Sequence, residues 1–231
     1  MIPWLTDNTP FPPVERALRS PNGLLAAGGE LTAKRLLDAY RHGIFPWFNP
    51  GDPVLWWSPD PRMVLIPGEF KASRSLAKVM RKSAYEVRTD SAFEAVMRAC
   101  AAPRNGHHGT WIDEDMIAAY CALHRLGNAH SVEVWIENKL VGGVYGVSIG
   151  RMFFGESMFS RVSNASKIAL AHLARQLERW QFGMIDCQMK TPHLATLGAR
   201  EIPRREFIAR LQELVHYAPI TNWQFDADLF I

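Results

Sequence analysis

The chain has 231 residues, of which 48% are hydrophobic, and it carries a formal net charge of +3. A chain of this length and composition can bury a full hydrophobic core, so it needs no disulfide or metal to hold it together. The net charge is too small to attract nucleic acid by itself, so any such contact has to come from a local cluster of basic residues.

The cysteine and histidine patterns predict no metal site and no disulfide framework. Cys100, Cys121 and Cys187 are an odd number of widely spaced cysteines, which favours a reducing cytoplasm. His107 and His108 lie in a predicted polar loop without a second ligand group. Because the sequence opens without a charged-then-apolar leader and contains no run of eighteen apolar residues, we expect a soluble protein that does not span a membrane.

The first quarter of the chain predicts one helix in an otherwise irregular segment. Thr32 is the predicted N-cap, and Gly43 is the predicted C-terminal stop. The apolar stripe of this helix consists of Leu36, Leu37 and Tyr40.

A domain boundary is predicted at Asp60-Pro61. Residues 1–61 hold ten of the 15 prolines and four of the 8 tryptophans, and regular strands and amphipathic helices begin after them. We therefore predict a small, loop-rich α/β domain over residues 1–61 and a second domain over residues 62–231.

The second domain is predicted as a strand, three helices, a three-stranded meander, a long helix, a strand and a final helix. Asn138-Lys139 is the tight turn of the meander, and Asn164 or Ser163 is the cap of the long helix. The predicted spans are 62–66, 73–81, 91–101, 113–126, 131–137, 140–149, 151–156, from 163 or 164 to about 180, 184–189 and 204–215. This order predicts an α+β protein with a mixed, mostly antiparallel sheet flanked by helices, which resembles the acyltransferase fold of acetyl-CoA-dependent N-acetyltransferases.

A cluster of basic residues lies on the first of these helices. Arg74, Lys78, Arg81 and Lys82 share one helical face, and no acidic residue lies between Lys71 and Lys82. A solvated face opposite a docked apolar side, with Leu76, Val79 and Met80, is the alternative interpretation. The lack of acidic partners favours a surface that binds phosphates.

Polar side chains interrupt two apolar strands. Glu156 ends the meander, and Asp186 and Gln188 alternate with Ile185 and Cys187 on the later strand. Residues two apart on a strand point to the same face, so we expect Asp186 and Gln188 to lie together. Polar groups in such a core need a structural or a catalytic reason.

Seven sequence segments, in this order, make the chain similar to the leucyl/phenylalanyl-tRNA–protein transferase family. They are 21–29 (PNGLLAAGG), 43–48 (GIFPWF), 56–62 (WWSPDPR), 109–112 (GTWI), 130–135 (HSVEVW), 155–160 (GESMFS) and 185–188 (IDCQ). The resemblance implies transfer of Leu or Phe, and less readily Met, from aminoacyl-tRNA to proteins that begin with Arg or Lys, which marks them for degradation. We expect no cofactor, no membrane partner and a monomer.

The resemblance assigns catalysis to Asp186, Gln188 and Glu156. The Asp186 carboxylate would polarise the Gln188 carboxamide, which accepts hydrogen bonds from the attacking amine. Gln188 either positions the amine or also relays its proton, and substrate groups are an alternative proton carrier. Glu156 would hold the α-amino group of the ester or of the acceptor. Structural alternatives are a carboxylate bracing a sheet end and a buried polar network.

The resemblance also assigns residues that bind the substrate. The predicted apolar pocket and its rim are formed by Val144, Phe153, Gly155, Met158, Phe159, Ser160, Leu173 and Ile185. Trp47 and Trp111 would stack on the terminal adenine, or alternatively pack the two domains together. The basic helix face would contact acceptor-stem phosphates.

Two rival functions have distinct sequence signatures. An acetyl-CoA N-acetyltransferase would carry a Gly-rich turn before the long helix, whereas residues 161–167 (RVSNASK) contain no glycine. A non-catalytic RNA-binding module would explain the basic helix and the tryptophans but would leave Glu156, Asp186 and Gln188 without a role.

Overall fold

The computed structural model describes residues 2–82, 84–103 and 111–230. His107, His108, Gly109 and Thr110 lie outside the described residues. The chain folds into two sheets with helices around them. The smaller sheet has the order β1-β2-β4-β3. Its strands and its helix are β1 (Trp4–Leu5), β2 (Leu24–Gly28), α1 (Ala33–Arg41), β3 (Phe45–Pro46) and β4 (Leu55–Trp57).

The larger sheet has seven strands in the order β11-β5-β10-β9-β8-β7-β6. Its strands are β5 (Arg62–Leu65), β6 (Glu86–Thr89), β7 (Ala129–Ile136), β8 (Lys139–Ile149), β9 (Met152–Ser160), β10 (Met184–Gln188) and β11 (Arg200–Ile202). The helices are α2 (Arg74–Lys82), α3 (Phe93–Ala101), α4 (Glu114–Arg125), α5 (Ala165–Arg179), α6 (Pro192–Thr196) and α7 (Arg204–Leu214). Among the described strands of this sheet, only β9 and β10 pair in parallel. The predicted α+β class with a mixed, mostly antiparallel sheet is confirmed.

Short elements account for most differences from the predicted spans. The four-stranded amino-terminal sheet was not predicted, and neither were β6, α6 and β11. Two of the amino-terminal strands have only two residues, so they show no alternation of apolar and polar positions. Strand β9 is longer than predicted and continues to Ser160.

The caps of α1 and α5 differ in outcome. Thr32 caps α1 as predicted, because its Oγ1 accepts a hydrogen bond from the Arg35 backbone N–H at 3.2 Å. Asn164 is the N-cap residue of α5, one of the two predicted candidates, but it is in the left-handed region with φ 68° and its side chain makes no capping bond. The Ser160 Oγ instead accepts from the Ser166 N–H at 3.2 Å. The serine at the end of β9 therefore caps the following helix.

Two hydrophobic clusters make up the core. The first contains the small sheet, α1, α3, α4 and the buried side of α7, so the amino-terminal unit and the large sheet share one apolar layer. The second contains α5, Leu76 of α2 and the opposite side of the large sheet. No helix of the described residues is long and apolar enough to cross a membrane.

Candidate active site

A cavity opens where β9 and β10 separate. The two strands pair in register from Met184 opposite Met152 to Asp186 opposite Phe154, and a β-bulge between Asp186 and Gln188 then changes the register of β10 with β5. A bulge re-aims the side chains that follow it, so the strand ends diverge. The cavity has a volume of about 430 Å³.

The walls of this cavity are mostly apolar, with a few polar groups. Such a combination is typical of small-molecule sites. The lining residues are Phe45, Pro46, Trp47, Trp111, Val144, Phe153, Gly155, Glu156, Ser157, Met158, Leu170, Leu173, Ile185, Cys187, Gln188, Met189, Thr191, His193 and Leu194.

Glu156 is the carboxylate of the cavity wall, and it accepts hydrogen bonds from three side chains. The Tyr40 hydroxyl donates to Oε1 at 2.6 Å, the Gln188 Nε2 donates to the same oxygen at 2.8 Å, and the Tyr120 hydroxyl donates to Oε2 at 3.0 Å. The Tyr40 and Tyr120 hydroxyls also contact each other closely. The carboxylate is therefore held from α1, α4 and β10 together.

The environment of Glu156 shifts its titration towards neutral pH. Burial raises the pKa of the Glu156 carboxyl to about 7, because the charged form is desolvated, whereas the hydrogen bonds from Tyr40 and Tyr120 act in the opposite direction. The Asp186 charge adds to the rise, and the Arg62 charge opposes it. A carboxylate with a pKa near 7 can accept and release a proton at physiological pH.

Asp186 lies beneath the cavity and does not line it. Both of its oxygens bind Arg62, with Nε to Oδ1 at 2.8 Å and Nη2 to Oδ2 at 2.7 Å, and neither side chain is exposed. The guanidinium also donates to the Gly43 carbonyl at 3.1 Å and lies between the rings of Phe45 and Phe207. This is a bidentate, fully buried ion pair.

Asp186 contacts Gln188 through the backbone. Its Oδ1 accepts the Gln188 N–H at 2.9 Å, and Gln188 has a positive φ of 62°. Positive φ is uncommon for a residue with a side chain, so this conformation depends on such a contact. The bulge therefore breaks the expected alternation: Ile185 and Cys187 line the cavity with Gln188, and Asp186 does not.

The Gln188 carboxamide uses its nitrogen in a hydrogen bond, whereas its oxygen remains available. Its Nε2 donates to Glu156, and among the described residues no group donates to its Oε1. Because Gln188 lines the cavity, that oxygen is available to an N–H donor that enters it.

Most of the predicted substrate-binding residues surround the cavity. Eight of the ten do so, namely Val144, Phe153, Gly155, Met158, Leu173, Ile185, Trp47 and Trp111. Phe159 is buried in the first hydrophobic cluster instead, and Ser160 donates to the Val162 carbonyl at 2.7 Å while it caps α5. The structure thus places those two, which end β9, outside the cavity lining.

The two tryptophans lie at the cavity, as the stacking hypothesis requires. Trp47 is 38% exposed and its ring lies 5.4 Å from that of Trp57, which also donates its indole N–H to the Trp47 carbonyl at 2.6 Å. Trp111 is half-buried. An exposed indole that is braced from behind offers a ring face to a partner.

The four basic residues of α2 are exposed. Arg74, Lys78, Arg81 and Lys82 form no ion pair with any described residue. Leu76 of the same helix is buried. The helix therefore has the docked apolar side expected of a solvated helix and also an unpaired basic surface.

Several residues of the site were not predicted as such. Tyr40 was assigned to an apolar stripe, and Tyr120 and Arg62 had no role. All three are fully buried, and a buried hydroxyl or guanidinium generally has a partner. The position of Arg62 at the start of an apolar strand was the one signal in the sequence. Cavity residues on and before α6, such as Thr191 and His193, gave no signal because that helix was not predicted.

The His130–Trp135 segment is explained by its own hydrogen bonds. Glu133 is fully buried and accepts bonds from Ser91 Oγ, the Ala92 N–H, Ser131 Oγ and Trp135 Nε1. His130 contacts Asp90 Oδ2 at 2.7 Å and the Gly127 carbonyl at 3.2 Å. The ring nitrogens of His130, which lies beside Asp90 and His124, are thus already engaged with protein oxygens.

Comparisons with known proteins agree on one family. The family described as leucyl/phenylalanyl-tRNA protein transferase matches residues 64–212, and the N-terminal domain of the same family matches residues 29–60. The protein called leucyl/phenylalanyl-tRNA–protein transferase of Nitrosospira multiformis is 67% identical over 98% of both chains. That of Nitrosomonas europaea is 66% identical over 98% of this chain and 96% of its own.

Solved structures give a looser likeness. A GCN5-related N-acetyltransferase from Kribbella flavida aligns with a TM-score of 0.38 and 10% identity, over 71% of this chain and 59% of its own. A structure titled L-PGS from Bacillus licheniformis aligns with a TM-score of 0.39 and 13% identity, over 72% and 54%. Similarity at this level has no bearing on function.

Proposed function

The chain belongs to the leucyl/phenylalanyl-tRNA–protein transferase family, and we propose that it moves Leu or Phe, and less readily Met, to proteins that begin with Arg or Lys. It is an aminoacyltransferase that uses aminoacyl-tRNA and a protein as substrates. The acceptor is the N-terminal α-amine, and the product begins with an apolar residue that marks the protein for degradation in the cytoplasm.

One observation carries the proposal: Glu156 and Gln188 meet at 2.8 Å on the wall of an apolar cavity. The cavity suits an apolar side chain that is unbranched at Cβ, such as that of Leu, Phe or Met, because Met158 and the ring of Phe153 can adapt to its shape. The two polar groups lie beside that side chain, where the ester carbonyl and the incoming amine have to meet.

The reaction depends on correct positioning of the amine and the ester more than on covalent catalysis by the protein. The lone pair of the α-amine attacks the ester carbonyl carbon, a C–N bond forms, and the bond from that carbon to the ribose 3′ oxygen breaks. The amine loses one proton and the ribose oxygen gains one. The free Gln188 Oε1 is suited to accept an N–H of the amine and so to orient its lone pair.

Asp186 supports this arrangement from below. Its bond to the Gln188 N–H holds the bulge, and Arg62 fixes both of its oxygens. We therefore interpret Asp186 as a residue that positions Gln188 through the backbone, and Arg62 as the residue that positions Asp186.

Trp47 and Trp111 are the proposed contacts of the terminal adenine, since both line the cavity and any base can stack on an aromatic ring. The basic face of α2, defined by Arg74, Lys78, Arg81 and Lys82, is the proposed contact of the acceptor-stem phosphates. The amino acid would then enter the cavity while the tRNA stays outside.

The direct test is a transfer assay with labelled Leu-tRNA and two peptides that differ only at the first residue, Arg or Ala. Labelled Leu is expected at the N-terminus of the Arg peptide and not of the Ala peptide. Labelled acetyl-CoA serves as the alternative donor. Acetylation without Leu transfer would replace this proposal with an N-acetyltransferase, and tRNA binding without any transfer would leave an RNA-binding protein.

The size of the cavity predicts the choice between Leu and Phe. Val144→Leu adds one methylene to the cavity wall, and one methylene in an apolar pocket is worth about tenfold or more in discrimination. We expect kcat/KM for Phe-tRNA to fall about tenfold relative to Leu-tRNA. Val141→Leu is the matched control, because Val141 is buried on the same strand but does not line the cavity. Equal losses for both tRNAs in Val144→Leu would place the amino acid elsewhere.

The salt dependence of binding tests the basic face of α2. Each phosphate contact adds about 0.9 to the slope of log Kd against log salt. The variant Lys78→Ala/Arg81→Ala is therefore expected to bind Leu-tRNA more weakly at low salt, with a slope shallower by about two. Lys34→Ala, at an exposed position of α1, is the control. An unchanged slope in the double variant would remove α2 from the tRNA contact.

A further inference from the structure

Three groups from distant parts of the chain form a closed ring of contacts at the cavity. Tyr40 is on α1, Tyr120 on α4 and Glu156 on β9, and each of the three touches the other two. Both tyrosines are fully buried. Neither lines the cavity, so they reach a substrate only through the carboxylate of Glu156.

The number of protons in this ring depends on the state of Glu156. The ring has three contacts, and the two hydroxyl groups supply two protons. With Glu156 ionised, two contacts carry a proton and the third does not. One further proton on Glu156 allows every contact to be a hydrogen bond, each group donating once and accepting once. The ring can therefore take up one proton without a new partner.

The tyrosines themselves do not titrate in the working range. Burial raises the pKa of the Tyr40 hydroxyl well above its usual value, and so does the adjacent Glu156 charge; the same two causes raise the pKa of Tyr120. Both side chains hence remain O–H donors wherever Glu156 is ionised. A charge-assisted bond is stronger than a neutral one, so the pair favours the carboxylate form of Glu156.

Other charged and polar groups face Glu156 from the neighbouring strands. Gln188 and Asp186 approach from β10, and Arg62 from β5. Tyr145 on β8 is also buried near Glu156, but its hydroxyl has no hydrogen-bond partner among the described residues. The contact geometry therefore separates two tyrosines that bond the carboxylate from one that does not.

We propose that Tyr40 and Tyr120 are positioning residues that hold Glu156 ionised and make it the acceptor of the proton that the attacking amine releases. This inference rests on the aminoacyl transfer proposed above. It gives the small amino-terminal unit, through Tyr40, a part in the chemistry of the large sheet.

The proton balance of the step closes without another reactant. As the C–N bond forms, one amine proton passes to Glu156 and completes the ring. As the bond to the ribose 3′ oxygen breaks, the same proton passes from Glu156 to that oxygen. The carboxylate is then ionised again, and no net proton is taken up or released.

The test is the pH dependence of kcat/KM for Leu transfer by Tyr40→Phe and Tyr120→Phe. Each variant keeps the aromatic side chain but loses the hydroxyl that donates to the carboxylate, so more Glu156 is protonated at a given pH. We expect the acidic limb of the profile to move up by about one pH unit. Activity on that limb is then about tenfold lower, and it recovers towards the parent value at higher pH.

Tyr145→Phe is the matched control, since it removes a buried hydroxyl near Glu156 that donates to nothing described. Its acidic limb is expected to stay with that of the parent protein. Circular dichroism and thermal melts of all three variants establish that they are folded. The same Leu-tRNA and Arg peptide are used throughout, and spontaneous ester hydrolysis is subtracted at each pH.

The outcomes separate the inference from the proposed function. A parent protein without transfer activity contradicts the proposed function itself. If the parent transfers Leu and the two variants lose activity equally at every pH, the tyrosines are only structural and the inference fails. A shift in Tyr145→Phe as large as in the others also overturns it, because the effect then does not follow the hydrogen bonds.

Discussion

Asp186→Ala is expected to lower the free energy of unfolding by about 3–5 kcal/mol, the usual cost of breaking a buried ion pair from one side. The substitution leaves the Arg62 guanidinium, which has no exposure to solvent, without its anion. An arginine keeps its charge in such a place. Urea unfolding measures the loss. Transfer is expected to disappear as well, since the Gln188 N–H loses its acceptor and the bulge loses its support.

The double variant Arg62→Met/Asp186→Ala separates the two effects. It removes both charges together, so the double substitution is expected to cost less stability than the sum of the two single ones. Transfer is expected to remain lost in the double variant, because the contact of Asp186 with the Gln188 backbone is still missing. Recovery of both stability and transfer would mean that Asp186 only neutralises Arg62.

Glu156→Gln has the second large expected effect. Loss of a positioned proton acceptor costs about 100-fold or more in rate, and a glutamine cannot take up the amine proton at any pH. We expect kcat/KM for Leu transfer to fall by at least about 100-fold and the acidic limb near pH 7 to vanish from what remains. Steady-state kinetics across pH measure both.

Glu213→Gln provides the comparison for Glu156→Gln, because Glu213 is an exposed residue of α7. Its profile is expected to match the parent. A Glu156→Gln variant that is active and keeps its acidic limb would show that another group, on the enzyme or the substrate, carries the proton.

The longer elements of the fold could be predicted because their side-chain periodicity is strong. Helices α4 and α5 lie close to their predicted spans because each buries an apolar stripe. Strands β7 and β8 are buried on both faces, and the tight turn predicted between them fixes where they meet. The pieces that were missed, such as β3 and α6, are too short for a period to develop. Their positions depend on the tertiary packing around them.

The site could be predicted only where residues that stand out in the sequence also contact each other in the structure. Glu156 and Gln188 stand out as polar groups in apolar strands, and the structure brings them into contact. The Arg62–Asp186 pair joins residues 124 positions apart, and no local pattern encodes such a pairing. The bulge at Gln188 interrupts the two-residue period, so the sequence pattern grouped Asp186 with the wrong neighbours.

Tyr40 connects the contact between the two units to the ionisation of Glu156. Its hydroxyl crosses from the smaller unit to a carboxylate of the larger one, so the basicity of that carboxylate depends on how α1 is seated. Loss of the Tyr40 hydrogen bond would raise the pKa of the Glu156 carboxyl, so that less of it is ionised at a given pH. The contact between the two units and the ionisation of Glu156 are therefore coupled through one hydrogen bond.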